Sequence, residues 1–315
     1  MSVYSTVSPD QLRHFFSHYR LGDVLGYEGI LDGVDNTNYL IFATTGDYVL
    51  TLFESLSADA LPHYINLLQN LAKTNLPCPC LKLDKQGQSL GLLGNKQAAV
   101  FQRLFGRATL TPSVQHCHEI GWHLGRLHLQ TLGYDFPMVS NHGLSWCQAV
   151  MDKLGHQLSA SDQALINDEL RFQAKYSAVA LPTGIIHGDL FRDNALFMDN
   201  KLSGILDFYS AGQGLLLLDI AITTNDWCQE QGKLNHKKMA TLLSGYEMAR
   251  PLTALEKQYW PVQLRSAALR FWLSRLEYQL YPRAGAVIQQ KDPQLFRQLL
   301  CQHRERLGFN AGCSG

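Results

Sequence analysis

IIHGDLFRDNALFMDNKLSGILDF, residues 185–208, is the stretch on which the rest of the chain turns. An apolar lead-in ends in His187, Gly188 and Asp189. Asn194 follows five residues after that aspartate, and a second short apolar run closes on Asp207. Two strand-like segments therefore deliver two carboxylates and an amide from neighbouring ends. Hard oxygen donors so arranged suit a divalent cation, and a carboxylate beside them can orient a hydroxyl nucleophile. Gly-Asp and Asp-Asn are also ordinary turn residues, so a solvated β-turn is the plain alternative. It is the weaker one, because apolar flanks rarely enclose so many carboxylates without a use for them. The pattern points to phosphoryl transfer from a nucleoside triphosphate.

Upstream, Ser8, Pro9 and Asp10 open a helix over LRHFFSHY, with Ser8 as cap, Pro9 in the first turn and Leu12, Phe15, Phe16 and Tyr19 on one side. Val24–Tyr27, Gly29 and Gly33, then Asn36–Phe42, predict strand, glycine-containing turn, strand. YVLTLF at 48–53 predicts a third strand, rich in β-branched and aromatic residues. Apolar spacing predicts a helix over Asp59–Lys73, stopped by Pro77 and Pro79, and Leu90–Leu93 and Ala98–Phe101 predict two further strands. Periodicity breaks at Gly106, Arg107 and Pro112, which places an interdomain connection near Phe101–Gly106. Beyond it helices are expected over Ser113–Gln130, Ser159–Tyr176, Leu217–Glu230, His236–Met248, Thr253–Tyr281 and Pro293–Leu307. The short strands of the central stretch interrupt them, and residues 310–315 read as a polar, frayed end.

A chain of 315 residues has room for two domains. Lys plus Arg and Asp plus Glu are both 27, so the formal net charge is zero, which argues against a broad nucleic-acid footprint. The same balance leaves little repulsion between molecules, and the sequence does not choose between monomer and homodimer. Seven cysteines in a chain this long are not a disulfide framework. Cys117 sits between His116 and His118, but residues two apart on a helix point in different directions, which argues against a metal cluster there. The odd thiol count fits a reducing compartment, the N-terminus lacks the apolar core of a secretory signal, and Leu215–Leu218 is far too short to span a bilayer. A cytoplasmic protein with no membrane partner is expected. Neither a P-loop nor a GxGxxG dinucleotide fingerprint is present.

HGD at 187–189, Asn194 and LDF at 206–208 resemble the motifs of the aminoglycoside phosphotransferase and choline kinase superfamily, whose fold is similar to that of protein kinases. GVDNTNYLI at 33–41, YVLTLFE at 48–54, PCP at 77–79, SGILDFYSA at 203–211 and ALRFWLSRL at 268–276 further resemble the ThrB-type homoserine kinases, over nearly the whole chain. The resemblance implies an α+β, protein-kinase-like bilobal fold. A small antiparallel-sheet N-lobe, residues 1–103, would bind the nucleotide, and a larger, mainly helical C-lobe, residues 104–315, would carry the catalytic loop, metal ligands and acceptor site. It implies ATP and Mg2+ as cofactors and phosphorylation of L-homoserine to O-phospho-L-homoserine, a step towards threonine, with ATP expected near Phe101–Gly106. The alternatives are a kinase for another small hydroxyl acceptor (choline or an amino alcohol, a sugar or an aminoglycoside), or a non-catalytic small-molecule-binding pseudokinase. A protein kinase fits poorly, since no APE segment or activation-loop insertion follows Asp207.

Roles follow from chemistry and from the resemblance together. Asp189 is the catalytic candidate, orienting the acceptor hydroxyl towards the γ-phosphate. Asn194 and Asp207 are the candidate Mg2+ ligands. His187 is expected to brace the loop. Asp219, in LLLLDIAI, either ties the loop down or, like Asp226, receives the acceptor's ammonium. Gly33, Val34, Asp35, Asn36, Thr37 and Asn38 have the chemistry of a phosphate-covering turn with several backbone N–H donors. Thr51 falls where the wider kinase pattern has a phosphate-pairing lysine, which leaves that positive charge unassigned. Glu54 is a solvated strand-end acid or a partner in that arrangement. Arg270, with Arg275 in reserve, is the candidate fork for the acceptor's carboxylate, and either would serve equally as a structural ion pair. Tyr209 lines the acceptor pocket or packs. Trp227, Phe271 and Trp272 read as core.

Overall fold

The computed structural model describes residues 5–30, 36–140, 142–282 and 291–305. The first compact unit runs to Phe105 and the second begins at Gly106. In the first, α1 (Pro9–Ser17) starts from a capping box in which Ser8 and Gln11 satisfy each other's backbone N–H groups. Strands β1 (Val24–Ile30), β2 (Asn36–Ala43) and β3 (Gly46–Phe53) form an antiparallel meander, and helix α2 (Ala60–Leu71) follows. Strands β4 (Leu81–Lys82), β5 (Gly91–Leu93) and β6 (Lys96–Gln102) complete the sheet in the order β1-β2-β3-β6-β4, with β5 beside β6. Phe15, Phe16 and Tyr19 bury one face of that sheet against Ile41, Leu50, Leu52 and Val100. Alternation turns Asn36, Asn38 and Thr51 to the other face.

The second unit is mainly helical: α3 (Val114–Gln130), α4 (Leu144–Leu154), α5 (Ala160–Ala174), α6 (Leu216–Trp227), α7 (His236–Ala249), α8 (Ala254–Leu280) and α9 (Gln294–Glu305). Strands β7 (Thr183–Ile186), β8 (Ala195–Met198), β9 (Lys201–Ile205) and β10 (Gly212–Leu215) lie between α5 and α6, in two separate ladders. The strand entering HGD pairs with β10, and the run that ends before Asp207 pairs with β8. The core gathers Trp272, Leu273 and Phe271 of α8 with Ile222 of α6, Leu154 of α4 and Phe296 of α9. The architecture is the expected α+β, bilobal, kinase-like one.

Two local readings need correction. Helix α4 has no counterpart in the sequence reading, because its N-cap is Gly143, which offers no capping side chain. The helix expected to reach Glu230 ends at Trp227, and Gln229–Glu230 pairs instead with Lys233–Leu234 as β11 and β12. The turn between them uses Gln231 at φ 50° and Gly232 at φ 76°, a left-handed pair that suits a tight hairpin. The last helix is described as far as Glu305, and the expected end at Leu307 lies outside the described residues. Among those residues no helix is long and apolar enough to cross a membrane.

Candidate active site

The loop after β7 is held by its backbone. Gly188 has φ +77°, and a Cβ there would meet the Ser210 carbonyl oxygen at 2.8 Å, so only glycine fits. Asp219, wholly buried on α6, accepts from the N–H groups of His187 (2.7 Å) and Gly188 (2.8 Å) and from His128 Nε2 of α3 (3.0 Å). At the next peptide, Arg270 Nη2 of α8 donates to the Gly188 carbonyl at 2.9 Å. One turn of the loop further on, Asp226 accepts from the Arg192 N–H (2.8 Å) and from its Nε (3.1 Å). Trp227 Nε1 donates to the Leu190 carbonyl at 3.0 Å. Asp219 and Asp226, seven residues apart, share one helix face, so α6 grips both ends of the loop. The expectation that either acid receives an ammonium therefore gives way to anchoring for both.

The three central side chains are stitched together. His187, buried, accepts from the Asp189 N–H at Nδ1 (3.3 Å) and donates from Nε2 to the Leu206 carbonyl (2.9 Å), tying the catalytic loop to the residue before Asp207. Leu206 N–H donates to the Asn194 carbonyl at 2.8 Å. Asn194 Nδ2 donates to the Asp189 carbonyl (2.9 Å) and lies 3.3 Å from its Oδ2, which leaves Oδ1 without a hydrogen bond. Asp207 adopts φ 60°, a left-handed conformation unusual for a non-glycine residue and frequent at functional turns. Asp189 is partly exposed. Burial, then the charge of Asp207, push its carboxyl up to about 8, against the pull of Lys291 and Arg270. Two repelling carboxylates beside a free amide oxygen form an all-oxygen donor set that fits Mg2+. No three His, Cys, Asp or Glu side chains converge on a metal-sized site anywhere among the described residues, this one included, and Mg2+ needs few protein ligands.

Arg270 is almost fully buried, its Nη1 has no partner, and burial lowers its pKa from the usual value. Burial, then the charge of Arg270, push His142 down to about 4. Arg275 lies over the Phe296 ring, donates to the Asp292 carbonyl at 2.8 Å, and lines a cavity of about 190 Å³ with Tyr278, Gln279 and Lys291. Tyr209 sits half-buried in the turn after Asp207, its N–H directed at the Asp207 carboxylate. Asp193 pairs with Lys291.

On the first unit, Gly33, Val34 and Asp35 lie outside the described residues. The flanking positions form a polar edge. Thr51 Oγ1 donates to Asn38 Oδ1 at 2.7 Å. Asn36 Oδ1 accepts from the Glu54 N–H at 3.0 Å, and its buried Nδ2 has no partner. Glu54 accepts from Thr37 and Ser5 hydroxyls and pairs with Lys96 at 2.9 Å. Burial would raise the Glu54 carboxyl, but Lys96, Ser5 and Thr37 outweigh it and hold it below the usual range. Glu54 is thus a partnered acid, with Lys96 as its cation.

Residues 26–252 match the phosphotransferase enzyme family. The chain is 40% identical to the homoserine kinase of Methylobacillus flagellatus over 301 residues, covering 95% of this chain and 94% of that one. It is 40% identical to that of Burkholderia vietnamiensis, covering 98% and 96%. The chain belongs to the homoserine kinase family. Among solved structures its fold is similar to that of an amicoumacin kinase (TM-score 0.72, 14% identity, 95% and 94% of the two chains). It is also similar to a choline/ethanolamine kinase family protein from Mesorhizobium loti (TM-score 0.68, 15% identity, 96% and 97%). Within this homoserine kinase family member, His128, Asp226 and Trp227 are loop supports to which the sequence assigned no such role. The signal available was a polar side chain on an otherwise apolar helix face.

Proposed function

We propose that the protein transfers the γ-phosphoryl group of ATP to the hydroxyl of L-homoserine, giving ADP and O-phospho-L-homoserine. The observation that carries this is the juxtaposition of Asp189, Asn194 and Asp207 on a loop braced from α3, α6 and α8, in a chain 40% identical to homoserine kinases. Asp189 accepts the hydrogen bond of the acceptor hydroxyl and aligns its oxygen with the γ-phosphorus. Asn194 and Asp207 would hold Mg2+, which when bound supplies charge neutralisation to the phosphates. His187 and Asp219 keep the loop in register. Gly33–Asn38 and Thr51, within a nucleotide-binding segment 1–103, cover the phosphates with backbone and side-chain donors. Within 104–315, Arg270 and Arg275 are the cations for the acceptor's carboxylate, and Tyr209 lines the acceptor side. The free thiols of Cys78, Cys80, Cys117, Cys147, Cys228 and Cys301 suit a cytoplasmic setting.

The test is purified protein with Mg2+-ATP and a panel of L-homoserine, L-serine, L-threonine, choline, ethanolamine and an aminoglycoside, reading ADP and phosphorylated product. Homoserine-dependent ADP release that disappears in D189N is expected. Turnover on choline or an aminoglycoside but not on homoserine would keep the chemistry and overturn the substrate. ATP binding with no turnover on any acceptor would overturn the enzyme reading in favour of a binding protein.

A further inference from the structure

The support of the catalytic loop does not end at Asp219. His128 is wholly buried, with Nε2 on Asp219 and Nδ1 2.8 Å from the Tyr246 hydroxyl of α7. Arg250 Nη1 donates to that hydroxyl oxygen at 3.1 Å and to Glu256 Oε1 at 2.9 Å. Glu256 Oε2 accepts from the Thr253 N–H at 2.9 Å and so closes the cap of α8. Five side chains from α3, α6, α7 and α8 and the α7–α8 connection form one buried line.

Only one polarity satisfies every member. A guanidinium can only donate, so the Tyr246 oxygen is already an acceptor and its hydrogen has a single place left, His128 Nδ1. An imidazole that accepts at Nδ1 carries its proton at Nε2 and donates it to Asp219. With the proton on Nδ1 instead, the hydroxyl would face two donors, its own hydrogen would lack an acceptor, and a bare Nε2 lone pair would face a carboxylate. Backbone packing sets up the contact. A Cβ on Gly245 would lie 2.2 Å from the His118 carbonyl oxygen, and one on Gly121 would lie 2.1 Å from that of Leu242. Helices α3 and α7 therefore touch backbone to backbone, and Tyr246, next to Gly245, meets His128 edge-on with ring centroids 5.6 Å apart.

We infer that Tyr246 is a positioning residue for the reaction: it fixes the His128 tautomer, through it the Asp219 carboxylate, and through that the peptides on either side of His187 that lead to Asp189. The inference rests on the role proposed above for Asp189. It gives α8 a hold on both peptides that meet at Gly188. The Glu256–Arg250–Tyr246–His128–Asp219 line reaches the Gly188 N–H, and Arg270 reaches its carbonyl.

The test uses the full chain as Y246F and R250M. Losing one buried hydrogen bond from the line lowers kcat about tenfold in Y246F, with KM for ATP and homoserine within about twofold of wild type. R250M, which leaves the ring and its bond to His128 in place, gives a smaller loss of the same kind. Long-range 15N–1H spectra of histidine-labelled protein read the tautomer directly. They should show His128 protonated at Nε2 in wild type, and in Y246F its Nδ1 signal should shift away from a hydrogen-bonded acceptor. Wild-type kcat in Y246F, or a wild-type His128 protonated at Nδ1, overturns the inference. Should Y246F fail to fold, R250M with unchanged kcat and an unchanged His128 signal overturns it equally. A wild-type protein inactive on every acceptor sinks the functional proposal, and the His128 spectra then judge the anchor on their own.

Discussion

Asp219 and Asp189 sit at opposite ends of a few hydrogen bonds and carry charge in opposite ways. Asp219 is 0% exposed, where an isolated carboxylate would be costly, yet its carboxyl lies below the usual range. Burial alone would raise it, but hydrogen bonding, from His128 above all and from the Gly188 N–H, outweighs that. Asp189 is partly open to solvent, yet it is pushed up to about 8 by burial and by Asp207. The better buried acid is the better served one. The supply of donors, more than depth, decides which carboxylate is settled and which still seeks a cation or a hydroxyl. The chain spends its donors on the anchor and leaves the proposed catalytic acid short of them.

The largest expected effect separates the two. D189N removes the poorly served charge, so kcat should fall by roughly 10² to 10⁴-fold while the thermal midpoint stays level or rises. ADP release and calorimetry on one preparation measure both, and an active D189N would break the comparison outright. D219N should strike stability as well as turnover. An amide turns a donor towards at least one of three buried N–H groups, for an expected loss of roughly 3 kcal/mol in denaturant unfolding. A wild-type midpoint in D219N would mean that the anchor carries little. G245A weakens the anchor without touching any of its atoms. Its Cβ would strike the His118 carbonyl, so α7 must move off α3 at a cost of about 1–3 kcal/mol, and kcat should fall along with stability.

The parts of this design differ in how far they could be read from the chain alone. Ser8, Ser113, Ser159 and Thr253 cap helices within three residues of themselves, and each start is legible. The central motif was legible for the same reason, since Asp189, Asn194 and the strand into Asp207 lie close in sequence. Asp219 was legible as an acid that could tie the loop down, but its links to His128 and Tyr246 were not, because those bonds join residues 91 and 118 positions apart, and helical spacing says which face a side chain occupies but not which helix it meets. Helix α4 was missed for want of a side-chain cap. The α6 end was overrun because a hairpin turn through Gln231 and Gly232 interrupts a stretch whose composition still suits a helix. Asp226 was legible as an acid in the right region and wrong in its expected partner. The Arg192 that claims it sits in the loop itself, a pairing that no local pattern announces.

The contrast between served and unserved groups recurs within α3, where it gives the smallest and most specific prediction. Five residues before His128, His123 is also buried, but its Nδ1 has no partner and its Nε2 is 3.9 Å from Glu119. Burial, and then the charge of Arg126, push it down to about 4. The folded chain thus binds a proton at this site less readily than the unfolded chain, whose histidine titrates near 6.5. Its contribution to stability is therefore whole above about pH 6.5 and is lost as the pH falls from there through about 4. H123L deletes both the titration and the orphaned nitrogen. At pH 7 its unfolding free energy should lie within about 1 kcal/mol of wild type, and at pH 5 it should have lost on the order of 1–2 kcal/mol less than wild type has. Urea unfolding at the two pH values measures the difference. His142, pushed the same way, keeps its own share of the acid loss, so the profile should flatten without becoming level. If H123L and wild type lose stability in parallel, His123 finds a partner in solution, and both buried histidines of α3 are served.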